Sequence, residues 1–185
     1  MREAHPLDYS EISAVLPHGR AMLLLDRVES IDLGVSIVGI KAITGTEACY
    51  LEVPAGAPRD HYAYPVSLLL ESFGQTGALL WLRSRDSLDD DPTRVLMFVG
   101  ARDLRIEGSA FPGDLLRHRA RIEKMLDDTV FVAGEIWAED RRIATIGSMI
   151  AVVRPLSGVV DNASKSAPHD TGQSLQDEML SSSKI

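Results

Sequence analysis

The segment Tyr64 to Leu82, Tyr-Pro-Val-Ser-Leu-Leu-Leu-Glu-Ser-Phe-Gly-Gln-Thr-Gly-Ala-Leu-Leu-Trp-Leu, constrains this chain more than any other. Its length, its leucines and the absence of an internal proline predict a helix over 65–82, with Pro65 in the first turn where a missing N–H costs nothing. Apolar residues fall on every face (Leu68, Leu69, Leu70, Phe73, Leu79, Leu80, Trp81), the pattern of a buried helix. Gly74 and Gly77 lie inside it, each less favourable than alanine by about 1 kcal/mol. Such glycines are expected where a tightly wrapped sheet approaches the helix backbone.

Glu71 and Gln75 interrupt the apolar surface, and their i, i+4 spacing places them on one face. A buried carboxylate is costly unless hydrogen-bonded or neutralised. A carboxyl whose pKa is raised can act as a general acid near neutral pH, so this face is the candidate site. Glu71 could equally reach an edge or a purely structural partner.

The chain has 185 residues and 45% hydrophobic content, enough for one domain with a core and an appended tail. The net charge of −8 argues against a general nucleic-acid binder, which would present a basic surface. A single cysteine, Cys49, allows no internal disulfide and no Cys-based metal framework. The amino terminus lacks an apolar signal core and Glu71 and Gln75 interrupt the long helix, so the expectation is a soluble, cytoplasmic protein without a membrane role.

Residues 8–16 suit a short helix ended by Pro17, and Ala21 to Val28 is an apolar run closed by Asp26-Arg27. A strand is predicted at about 36–44 after a turn at Gly34. Residues 53–65, with three prolines and Gly56, form a loop that delivers His61 to the start of the long helix. Asp89-Asp90-Asp91-Pro92 reads as a solvated connection rather than a metal site. Strands are predicted at 95–100, 103–107, 115–124, 129–139 and 143–153, so a helix enclosed early and antiparallel strands late give an α+β class. In the 115–124 strand Arg117, Arg119 and Arg121 share one face, either a solvated outer surface or a docking stripe for an acidic partner. Beyond Pro155 the composition turns polar, and a flexible tail over 156–185 is expected, with a transient helix at 175–180.

Four ordered motifs resemble the 3-hydroxyacyl-(acyl carrier protein) dehydratase family of hotdog-fold proteins (FabZ/FabA-like). They are Leu16-Pro17-His18-Gly19-Arg20-Ala21-Met22-Leu23-Leu24-Leu25-Asp26-Arg27-Val28, Lys41-Ala42-Ile43-Thr44 followed by Glu47, Pro65 to Gln75 with Glu71, and Ala110-Phe111-Pro112-Gly113-Asp114-Leu115-Leu116. The resemblance implies a hotdog domain over 1–155, a curved antiparallel sheet wrapped around the central helix. It also implies dehydration of a 3-hydroxyacyl thioester on acyl carrier protein to a 2-enoyl thioester, in fatty-acid or polyketide-type biosynthesis, with no metal or other cofactor.

In that family a histidine in a Gly-His-Phe-Pro motif stands fourteen residues ahead of the acidic residue; at that spacing from Glu71 this chain has Ala57. The nearest histidine, His61 in Asp60-His61-Tyr62, is either a rearranged form of the motif or a loop residue without chemistry. On the resemblance, His61 removes the α-proton, Glu71 protonates the leaving hydroxyl, Gln75 orients Glu71, and the amides of Val66 and Ser67 bind the thioester carbonyl. The family's Pro-Gly at the helix start is Pro65-Val66 here, which narrows the substrate's approach. His18 is read as structural. The resemblance also implies a dimer in which histidine and carboxylate come from different subunits, and Arg117, Arg119 and Arg121 would dock the acidic carrier. Two alternatives follow: a half-catalytic subunit of a heteromeric dehydratase, or a hotdog acyl thioesterase.

Overall fold

A computed structural model describes residues 3–85 and 94–155. The tail and the aspartate-rich connection at 89–92 lie outside the described residues. Chain order is β1 (Glu3–Ala4), α1 (Tyr9–Ser13), β2 (Arg27–Asp32), β3 (Ser36–Ala42), α2 (Val66–Ser84), β4 (Arg94–Ile106), β5 (Leu115–Met125), β6 (Thr129–Ala138) and β7 (Arg141–Pro155), with 3-10 turns at Ala48–Tyr50 and Arg59–Tyr62. The strands form one antiparallel sheet in the order β1-β2-β3-β5-β6-β7-β4.

This sheet packs on α2 through β3, β5, β6 and β7. Leu69, Phe73, Leu79, Leu80 and Trp81 are almost wholly buried beneath it, each large apolar side chain contributing roughly 1.5–3 kcal/mol. The expected close approach is present at Gly77, where an added Cβ would stand 3.0 Å from Val132 Cγ1. At Gly74 an added Cβ would meet only Met149 Sδ at 3.4 Å, and that glycine borders open space rather than a tight contact.

Local chemistry sets the element ends. Asp8 caps α1: the Glu11 backbone N–H donates to Asp8 Oδ1 at 3.0 Å, and the Asp8 N–H donates to Glu11 Oε2 at 3.0 Å. The Phe111-Pro112-Gly113-Asp114 turn reverses the chain with Gly113 at φ +102°, a conformation that favours glycine. Asp114 Oδ2 closes this turn by accepting from the Phe111 N–H and from Arg141.

One reading of the sequence needs correction. The separate strands expected at 95–100 and 103–107 are one strand, β4, kept continuous through a bulge at Phe98/Gly100 and Asp103 at φ +54°. Of the apolar run 21–28, residues 21–26 are irregular and β2 begins at Arg27. No helix among the described residues is long and apolar enough to cross a membrane.

Candidate active site

The central helix brings Glu71 and Gln75 to one face, as their spacing predicts, and Gln75 Nε2 donates to Glu71 Oε1 at 2.8 Å. Gln75 is buried and fully engaged: Nε2 also donates to the Met22 carbonyl at 2.6 Å, and Oε1 accepts from the Leu24 N–H at 2.9 Å. These bonds fasten the irregular 17–25 segment across the helix. That segment carries His18, whose Nε2 lies 3.2 Å from Glu71 Oε1.

Hydrogen bonding from His18, opposed by partial burial and aided by Gln75, holds the Glu71 carboxyl below the usual carboxylate range. This reverses the expectation of a carboxyl raised by burial. Two donors stabilise the charged form, and the side chain keeps about 34% exposure, so desolvation does not dominate.

Glu71 and His18 line a cavity of about 410 Å³, walled from the sheet by Leu96, Phe98, Val130, Val132, Met149 and Ala151. Ser67 of the first helical turn also borders it, whereas Val66 does not. The α2 N-terminus has no side-chain cap, and the first N–H groups of a helix lack intrahelical acceptors. Among the described residues no cluster of three or more His, Cys, Asp or Glu forms a metal site.

His61 sits in the Arg59–Tyr62 turn, exposed to solvent and outside the cavity lining of its own chain. The turn is held in place: Arg59 stacks on the Phe111 ring at 4.1 Å, and the Tyr64 N–H donates to the Ala110 carbonyl at 2.8 Å. Upstream, Lys41 Nζ pairs with Glu47 Oε1 at 2.8 Å, a largely buried ion pair that anchors the start of the same loop.

The three arginines of β5 do share the outer face, alternating with buried Leu116, His118 and Ala120. Arg117 forms a two-pronged pair with Glu29, Arg121 pairs with Glu123, and Arg119 lies over Trp137 at 5.5 Å.

His18, read from the sequence as structural, is the residue that the structure places against Glu71. Its contact with Glu71 spans 53 positions, and the local signal was its place in the Leu16 to Val28 motif, a polar Pro-His-Gly opening an apolar run.

The family model for the FabA-like domain matches residues 16–147. A 3-hydroxyacyl-[acyl-carrier-protein] dehydratase FabZ from Herpetosiphon aurantiacus is 32% identical, over 64% of this chain and 79% of its own. Among solved structures, the dehydratase heterocomplex ApeI:P from Xenorhabdus doucetiae aligns with TM-score 0.65 at 16% identity, over 82% of this chain and 96% of its own. A thioesterase superfamily member from Thermus thermophilus aligns at TM-score 0.52 and 20% identity, over 74% and 93%. The two structures share the hotdog fold with this chain, and the match over 16–147 together with the 32% relative shows that the chain belongs to the FabA-like, FabZ-related family.

Proposed function

We propose that this chain acts in the dehydration of a 3-hydroxyacyl thioester, carried on acyl carrier protein, to the 2-enoyl thioester. The observation that carries this reading is an apolar cavity whose lining holds only two titratable groups in contact, His18 and Glu71, among the described residues. Apolar walls suit an acyl chain, and one carboxyl group suits proton exchange at the β-oxygen. Glu71 protonates the departing hydroxyl; in the reverse hydration its carboxylate takes the proton from water. Gln75 holds Glu71, and at the helix N-terminus the Ser67 amide, which borders the cavity where Val66 does not, polarises the thioester carbonyl.

The α-proton goes to His61 of the partner subunit in a homodimer. The outer edge of β4 supports such a partner: β4 is the last strand of the sheet and exposes Phe98 and Val99. A long apolar edge of this kind favours pairing with another chain. A partner there would stand beside Leu96 and Phe98 of the cavity wall.

A second reading has one observation in its favour, Ala57 at the family's histidine spacing. There the chain is the Glu71-bearing subunit of a heteromer and a related subunit supplies the histidine. Hydration of a 2-enoyl thioester, followed by loss of enoyl absorbance, separates the readings when run on the chain alone and after co-expression with its genomic neighbours, with native mass spectrometry of both samples. The expected result is an active homodimer. Activity confined to a mixed complex moves the assignment to the heteromer, and release of free thiol moves it to a thioesterase.

Carrier docking falls to Arg117, Arg119 and Arg121 on this reading, because the overall charge would otherwise repel an acidic carrier. Reversing Arg119 and Arg121 together is expected to raise KM for carrier-bound substrate several-fold at low salt and to leave a pantetheine thioester unaffected. Equal losses on both substrates would point away from this face.

A further inference from the structure

We infer that His18 is a positioning residue for Glu71: it donates from Nε2 to Oε1 and, with Gln75, ties down that oxygen so that Oε2 exchanges protons with the substrate. For its chemistry the assignment rests on the dehydration reading above.

Two nitrogens converge on one carboxylate oxygen: Gln75 Nε2 donates to Oε1 at 2.8 Å, and His18 Nε2 lies 3.2 Å from it. The described residues offer no hydrogen-bond partner to Oε2. The arrangement is stiff because the Gln75 side chain is bonded to Met22 and Leu24, four and six positions from His18 in the segment that carries it. The tautomer follows from burial. His18 Nδ1 is shielded from solvent and has no partner among the described residues. A proton on Nδ1 would be a buried N–H without an acceptor, and orphaned buried N–H groups are rare. The proton therefore belongs on Nε2, facing Glu71.

Among the described residues the cavity lining holds no charged group besides His18 and Glu71. The cavity-lining residues from β4, β6 and β7 are all uncharged, and on α2 the neighbours are Ser67, Leu70, Gly74, Gln75, Gly77 and Ala78. Losing a donor to the charged form raises a carboxyl pKa, so His18 sets the acidic limb of the hydration profile through Glu71.

The test uses the full chain, or the mixed complex if activity resides there. Nitrogen-15 imidazole shifts of the wild type are expected to show His18 as the Nε2–H tautomer; the Nδ1–H form overturns the inference without any variant. His18→Phe keeps an aromatic ring and removes the donor. Carbon-13 titration of the Glu71 carboxyl is expected to move up by about one pKa unit, with the acidic limb of kcat/KM following it. kcat in hydration falls by up to about tenfold on the acidic limb, at pH values below the wild-type Glu71 value, with KM unchanged, and His18→Gln, which retains an N–H donor, recovers part of both shifts. Should His18→Phe not fold, His18→Gln and His18→Asn carry the same titration. A Glu71 titration unmoved in these variants, while Glu71→Gln is inactive, leaves the dehydration reading standing and removes His18 from it. Full activity in Glu71→Gln overturns the dehydration reading itself.

Discussion

Glu71→Gln is expected to lower turnover in enoyl-thioester hydration by about 10²-fold or more, with an unfolding midpoint near that of wild type. The substitution keeps the length and planarity of the side chain, and an amide oxygen can still accept from His18 and Gln75, which converge on Oε1 in the wild type. What it removes is the titratable proton. The folded carboxyl lies below its ordinary value, so its contribution to stability is present above the unfolded-state pKa near 4.5 and is lost as pH falls through the folded value. Wild type and variant therefore converge in acid and differ slightly at neutral pH, where Glu71 is still about a third exposed. His61→Ala is the companion measurement. In the homodimer its loss is comparable to that of Glu71→Gln and the two are not additive, since both groups serve one substrate. In the heteromer it is nearly silent. Activity of the chain alone that survives His61→Ala eliminates that residue as the base.

The parts legible in the sequence were those governed by short-range periodicity. The buried helix announced itself through leucines on every face and two interior glycines, and Gly77 has the predicted contact with Val132. Glu71 and Gln75 were found because i, i+4 spacing on a helix is a local rule, and they are hydrogen-bonded as that rule predicts. The alternation in β5 likewise placed Arg117, Arg119 and Arg121 on one face, and the structure turns that face outward.

Long-range geometry was not legible. His18 reaches Glu71 only because Gln75 bonds backbone groups of Met22 and Leu24, and side-chain to main-chain bonds across fifty residues leave no periodic trace. The direction of the Glu71 shift went astray for the same reason: burial alone raises a carboxyl, and the two donors that reverse the sign come from three-dimensional neighbours. β4 was divided because Gly100 and Asp103 look like punctuation. The structure absorbs the former at a bulge and the latter in a left-handed conformation while pairing with β7 continues.

His118 carries a large pH-dependent effect on stability on the acid side. It is fully buried on β5, its ring meets Phe73 edge-on with centroids 6.3 Å apart, and neither ring nitrogen has a partner among the described residues. Burial, aided by the positive charge of Lys41, depresses its pKa from 6.5 to about 3. The unfolded chain therefore binds a proton below pH 6.5 that the folded chain refuses until near pH 3. Stability linked to this group is complete above the unfolded value and lost across that window as pH falls. At 1.36 kcal/mol per pH unit, the loss attributable to His118 is about 2 kcal/mol by pH 5. His118→Leu keeps an apolar side chain at the site and removes the titration, so its acid branch should be flatter than wild type by that amount. It also removes an unpaired buried ring N–H, which costs about 1–3 kcal/mol, and is therefore expected to unfold at higher urea than wild type at pH 7 as well. Urea unfolding at pH 7 and pH 5 on both proteins checks both statements. Parallel pH dependence in the two would mean that His118 finds a proton acceptor in the folded protein, and the buried neutral imidazole would have to be abandoned.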